Sequence, residues 1–118
     1  MIKVKYNPEE TKDAIESIIG KNFFLFANEV VLNVLLSLKK PTRLMNDLTV
    51  TVYPHKESIM GGVSGYKIRI YIQDTEEEIK KTLIHETVHT LNPSMEEDEV
   101  ESLTQEMYNL EEPETIEV

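Results

Sequence analysis

The stretch Leu83–Glu101, "LIHETVHTLNPSMEEDEVE", decides how the chain is read. It holds two of the protein's three histidines, four residues apart, with a glutamate beside the first and an acidic run behind them. On a helix of about 3.6 residues per turn, His85 and His89 share one face, one turn apart, and can grip a single ion. Glu86 is offset by one residue, so it flanks such an ion instead of binding it. Ile84, Val88 and Leu91 form an apolar arc roughly 100° away from the histidines. The helix therefore has a core side and a separate histidine side. The competing reading is an amphipathic surface helix that spells the pattern by chance.

Two imidazoles and a neighbouring carboxylate, with a coordination position left open, suit zinc-dependent hydrolysis, Glu86 acting as the general base on a water at the metal. A third ligand is needed. The only other histidine, His55, lies in or beside a strand connection. The carboxylates after "NP" are better placed, because that break reverses the chain and brings a following helix back past the ion at about the depth of Thr87. Mirror counting through the turn puts the ligand between positions 97 and 101. Glu96 falls on the apolar face of its helix and Asp98 points away, whereas Glu97 and Glu101 share a face. The spacing assigns Glu97 as third ligand and Glu101 as the acceptor that orients a histidine. The reverse assignment stays open.

Outward from this stretch, Thr75 with Glu78 forms a capping box for the helix that ends near Leu91. Ser94 with Glu97 does the same for the next helix, whose apolar positions are Val100, Leu103, Met107 and Leu110. Upstream, "IKVKY" alternates like a short strand, and Asn7, Pro8 and Glu10 predict a helix that Gly20 stops. The apolar run Phe23–Leu38 lies in a helix from about Asn22 to Lys39, too short and too polar at Asn28, Glu29 and Asn33 for a membrane span. "LTVTVYP" and "GYKIRIYI" alternate as strands around the glycine-containing loop "HKESIMGGVSG".

The chain has 118 residues, which predicts one domain, and no cysteine, which excludes disulfides and thiolate metal sites. Its charge is lopsided. All twelve Lys and Arg lie at or before Lys81 beside eleven acids (+1), while residues 82–118 hold eleven acids and no Lys or Arg (−11), giving the net −10. That balance argues against nucleic acid or an anionic membrane as partner. The amino terminus does not read as a signal peptide, so a cytoplasmic location is expected.

"HETVH" followed by "EDEVE" resembles the gluzincin metallopeptidases, whose pattern is HExxH plus a glutamate on a later helix. In several membrane-embedded branches that glutamate has a small or apolar residue at +3 and an acid at +4. Glu97, Val100 and Glu101 match this, with Glu in place of the more usual Asp. In size the chain is most similar to the minigluzincins. The resemblance covers Thr75 to about Met107 by motif, and Asn7 to Ile72 only by the order of elements.

The resemblance implies an α+β, minimal zincin-like fold spanning residues 1–118. A small, about three-stranded sheet would pack on N-terminal backing helices, an active-site helix and a C-terminal glutamate helix. It implies a Zn2+ endopeptidase acting on peptides or unfolded proteins, with His85, His89 and Glu97 on the metal. An edge strand would hold the substrate extended, and "GYKIRIYI" is the candidate for that rim. A Tyr or His would steady the oxyanion; Tyr108, Tyr53, Tyr66 and Tyr71 are options without a motif behind them. It also implies that the tail, about residues 111–118, blocks the cleft through Glu112, Glu114, Glu117 or the terminus. The alternative function is a zinc-binding module that keeps the scaffold without turnover, and a third is a purely structural metal site.

Overall fold

A computed structural model describes residues 1–111 of the chain. The tail residues 112–118, on which the expectation of a blocked cleft rests, lie outside the described residues. Four strands, β1 (Lys3–Tyr6), β2 (Thr49–Tyr53), β3 (Gly61–Ser64) and β4 (Lys67–Tyr71), and four helices, α1 (Thr11–Ile19), α2 (Phe23–Ser37), α3 (Glu76–Leu91) and α4 (Glu97–Glu111), make an α+β fold. A short 3-10 helix, Thr42–Asp47, leads into β2.

The sheet has four strands in the order β1-β2-β4-β3, not the three or so expected. Strands β1, β2 and β4 run parallel, and β3 is antiparallel to β4 at the edge. Alternation decides which side of the sheet is covered. Val50, Val52, Ile68 and Ile70 are fully buried, while Lys67 and Arg69 on the other face are exposed. Ile15, Phe23, Val31, Leu35, Ile79 and Leu83 from α1, α2 and α3 close the core.

Helix α2 keeps the apolar character read from its sequence, and its caps follow local chemistry. Asn22 Oδ1 accepts the Leu25 N–H at 3.0 Å. At its other end Lys39 takes a left-handed φ of 56°, and Lys40 N donates to Leu35 O at 2.9 Å, a Schellman closure with lysine where glycine is usual. The polar exception, Asn28, is 5 % exposed and ties the sheet to the helix by accepting the Ile2 N–H at 2.7 Å. No single helix among the described residues is long and apolar enough to cross a membrane; α1 and α2 together pass on composition but bend by 66°.

Four expectations are corrected. Helix α1 begins at Thr11, not after an Asn7 cap, because Asn7 N donates to Val52 O at 2.9 Å and so prolongs the sheet. Pro8 follows a cis peptide bond, and its carbonyl accepts the Thr11 hydroxyl at 2.7 Å. Helix α4 begins at Glu97, so Ser94 is not its cap; the chain first turns through Met95 N donating to Asn92 O at 3.0 Å. Leu110, read as an apolar-face position of α4, is 71 % exposed. Finally, β4 lies inside the sheet, and the rim is β3, formed by the "GGVS" part of the presumed loop.

Glycine explains that last difference. A Cβ at Gly61 would lie 2.7 Å from Arg69 O, 3.0 Å from Glu86 Cγ and 3.0 Å from Thr82 Cγ2. The edge strand can cross α3 this closely only without a side chain there. Gly65, at φ 59°, makes the turn into β4, and its carbonyl accepts the Thr90 hydroxyl of α3. Gly61→Ala is therefore expected to destabilise the fold by about 1–3 kcal/mol in denaturant unfolding. Gly62→Ala should cost less, since the atom its Cβ would meet, Arg69 Nη2 at 2.5 Å, ends a flexible side chain.

Candidate metal centre

Helix α3 is positioned by two independent devices. Thr75 Oγ1 accepts the Glu78 N–H at 3.1 Å, and three acidic residues, Glu76 to Glu78, occupy the positive end of the helix. Ile79, Leu83, Ile84 and Val88 are fully buried, and each such burial stabilises by about 1.5–3 kcal/mol. With that stripe seated in the core, His85 and His89 turn sideways onto α4, as their angular offset from the apolar arc requires. Their ring centroids are 4.7 Å apart with the planes at 69°.

The first turn of α4 meets them. Glu97 spans both rings: Oε1 is 2.8 Å from His85 Nε2, and Oε2 is 2.8 Å from His89 Nε2. His85, His89 and Glu97 each offer a donor atom, and the three atoms lie within 4.8 Å of one another. Glu101, one turn further on, sits behind the cluster, with Oε1 3.0 Å from His85 Nδ1. The two nitrogens of an imidazole point in divergent directions, so Glu101 reaches the side of His85 that faces away from Glu97. A proton on Nδ1 donated to Glu101 leaves Nε2 as the lone-pair nitrogen that a metal requires.

Glu86 lies on the inner side of the cluster. It is 8 % exposed, and its Oε1 is 3.7 Å from His85 Nε2. Burial pushes its carboxyl above the usual range; His85 and His89 pull it back, Glu97 adds to the rise, and Arg69 lowers it slightly. A groove of about 600 Å³ opens beside it, walled by Met60 and Gly61 at the edge strand, Thr82 on α3, and Thr104 and Gln105 on α4.

The residues singled out in the sequence thus come together: His85, Glu86, His89, Glu97 and Glu101 share one site. His55 does not join them, because its Nδ1 donates to Ile72 O at 3.1 Å beyond β2. Nor do Tyr53 and Tyr71. They stack on each other on the far face of the sheet, and the Tyr108 ring lies 4.8 Å from Lys81 Nζ. What sequence reasoning missed is the opposite wall, Met60 and Gly61. The paired glycines were its signal, since a Gly-Gly step beside a strand marks close backbone approach.

The donor chemistry fits a metal. Two imidazole nitrogens and one carboxylate, with no thiolate in the chain, make a site that could hold a metal ion. Compared with family models, curated proteins and solved structures, the chain finds no match in any of the three.

A calorimetric titration with zinc tests the ligand set. One ion per chain is expected for the wild type, with binding lost in His89→Ala and severely weakened in Glu97→Gln. Glu101→Gln should keep the stoichiometry and lose about 10- to 100-fold in affinity, the usual effect of removing a group that orients a ligand. Loss of binding in Glu101→Gln but not in Glu97→Gln would reverse the two roles.

Proposed function

We propose that the protein is a zinc-dependent endopeptidase of the gluzincin type, built on a minimal zincin-like scaffold. The observation that carries this is the buried carboxyl of Glu86 beside the convergent nitrogens of His85 and His89, at the mouth of a groove bounded by an edge strand. Zinc bound there would acidify a water and polarise a peptide carbonyl. The chain's own groups do the rest. Glu86, too far round the helix to be a ligand, accepts a proton on the groove side and returns it to the departing amine. Its burial favours the first of these steps, because a desolvated carboxylate is a stronger base than an exposed one.

Substrate geometry follows from β3. Its outer edge has no strand partner among the described residues, so its backbone N–H and C=O groups are free to pair with an extended peptide. Gly61 keeps that strand low over α3 and so keeps the peptide near Glu86. The third reading, a structural metal site, needs a fourth protein ligand closing the coordination shell. Glu101 is the nearest further carboxylate on α4, and it faces the wrong side of His85 to serve. The second reading, a module that binds zinc without turnover, differs from the first only in catalysis.

Digestion of an unfolded protein separates them. Wild-type chain loaded with zinc should cleave it, and Glu86→Gln should cut more slowly by about 10²- to 10⁴-fold while binding zinc one to one. Stoichiometric zinc with no cleavage by the wild type, even after removal of residues 112–118, would leave the binding module.

A further inference from the structure

The face of the sheet turned away from the helices carries bases and no acids. The strand register sets Lys3, Thr49 and Lys67 in one row across it, and Lys5, Thr51 and Arg69 in the next. All four of these cations are exposed. None of them makes an ion pair among the described residues. Beyond the rows, Tyr53 stacks on Tyr71 with ring centroids 5.3 Å apart, and Lys56 Nζ lies 5.9 Å from the Tyr71 ring centre. In a chain with 22 acids against 12 bases, a solvent-facing sheet surface should carry more acids than bases. This one collects only bases, on the side away from the acidic helix α4.

We propose that this face docks an acidic stretch of polypeptide in extended form. The spacing fits: successive outward residues on a strand repeat at roughly 6.8 Å, as do alternate side chains of an extended peptide, and rows two strands apart lie roughly 10 Å from each other. Carboxylates on every second residue can therefore meet Lys3 and Lys5, or Lys67 and Arg69, in register. The hydroxyls of Thr49 and Thr51 between them supply hydrogen bonds at the floor. Single-stranded nucleic acid fits less well. The tyrosines stack on each other and under Lys56, which leaves bases a poor platform.

The docking surface does not depend on the metal or on the peptidase reading, and its test reads binding alone. The probe is a fluorescent peptide of about twelve residues alternating glutamate and serine, followed by anisotropy against the full chain. Binding is expected at low salt, weakening as ionic strength rises from about 50 to about 200 mM. Lys3→Glu with Lys67→Glu should loosen it by roughly tenfold or more. Lys12→Glu with Arg43→Glu, which changes net charge equally but off the sheet face, should loosen it far less. The proposal is overturned by no binding, by equal losses in the two double variants, or by tighter binding of an oligothymidylate of matched length. Salt-sensitive self-association in sedimentation that the sheet variant abolishes would equally overturn it, by assigning the face to a second copy of the chain.

Discussion

One carboxylate held against two imidazoles organises this structure. Glu97 can reach both His85 and His89 only if α4 returns antiparallel to α3, at one depth and in one rotational setting. The reversal through Asn92–Met95 sets the depth, and Val100 and Met107, both buried, set the rotation. The pairing then repeats with the helix period: His89 opposite Glu97, His85 opposite Glu101. Glu97 also begins α4 in company with Asp98 and Glu99, where the positive end of the helix favours negative charge. A dense run of acids that would repel itself on a plain surface is thereby given a helix terminus and two imidazoles to face.

The second constraint acts from the other side. The groove is bounded where β3 crosses α3 so closely that a Cβ at residue 61 would meet the side chains of Thr82 and Glu86, and Gly61 is what permits it. The same approach encloses Glu86, whose raised carboxyl is a consequence of that enclosure more than of any single charge. Edge strand, glycine and buried glutamate are thus one device. A side chain at residue 61 would press on the carboxylate arm of Glu86 and on the wall of Thr82 together.

Much of the site was legible because it is local. A spacing of four on a helix places His85 and His89 without knowledge of anything else, and the offset apolar arc of Ile84 and Val88 shows which way they turn. Counting through "NP" reached Glu97 and Glu101 because a short helical hairpin preserves depth, even though the expected cap at Ser94 was wrong by two residues. The errors came where tertiary pairing outbid a local motif. Asn7 satisfies the pattern for a helix cap, yet its N–H has a better partner in the Val52 carbonyl of the sheet. "GGVS" has little strand propensity beyond Val63, and becomes a strand because β4 offers it a ladder and α3 tolerates nothing larger at Gly61. The period of α4 continued to Leu110 in the sequence, yet Leu110 is exposed to solvent. The four strands instead of three follow from that same hidden edge strand.

The central claim is that His85, His89 and Glu97 hold one metal ion and leave a position open. A crystal structure of the zinc-loaded protein, with anomalous scattering to locate the ion, tests it most directly. It should show a single zinc bound to Nε2 of both histidines at about 2.0–2.1 Å and to the Glu97 carboxylate at about 2.0–2.2 Å. Glu101 should remain on His85 Nδ1, and no fourth protein atom should close the site. Zinc ligated by Glu101 instead of Glu97, a fourth protein ligand, or no ion between the histidines would contradict it.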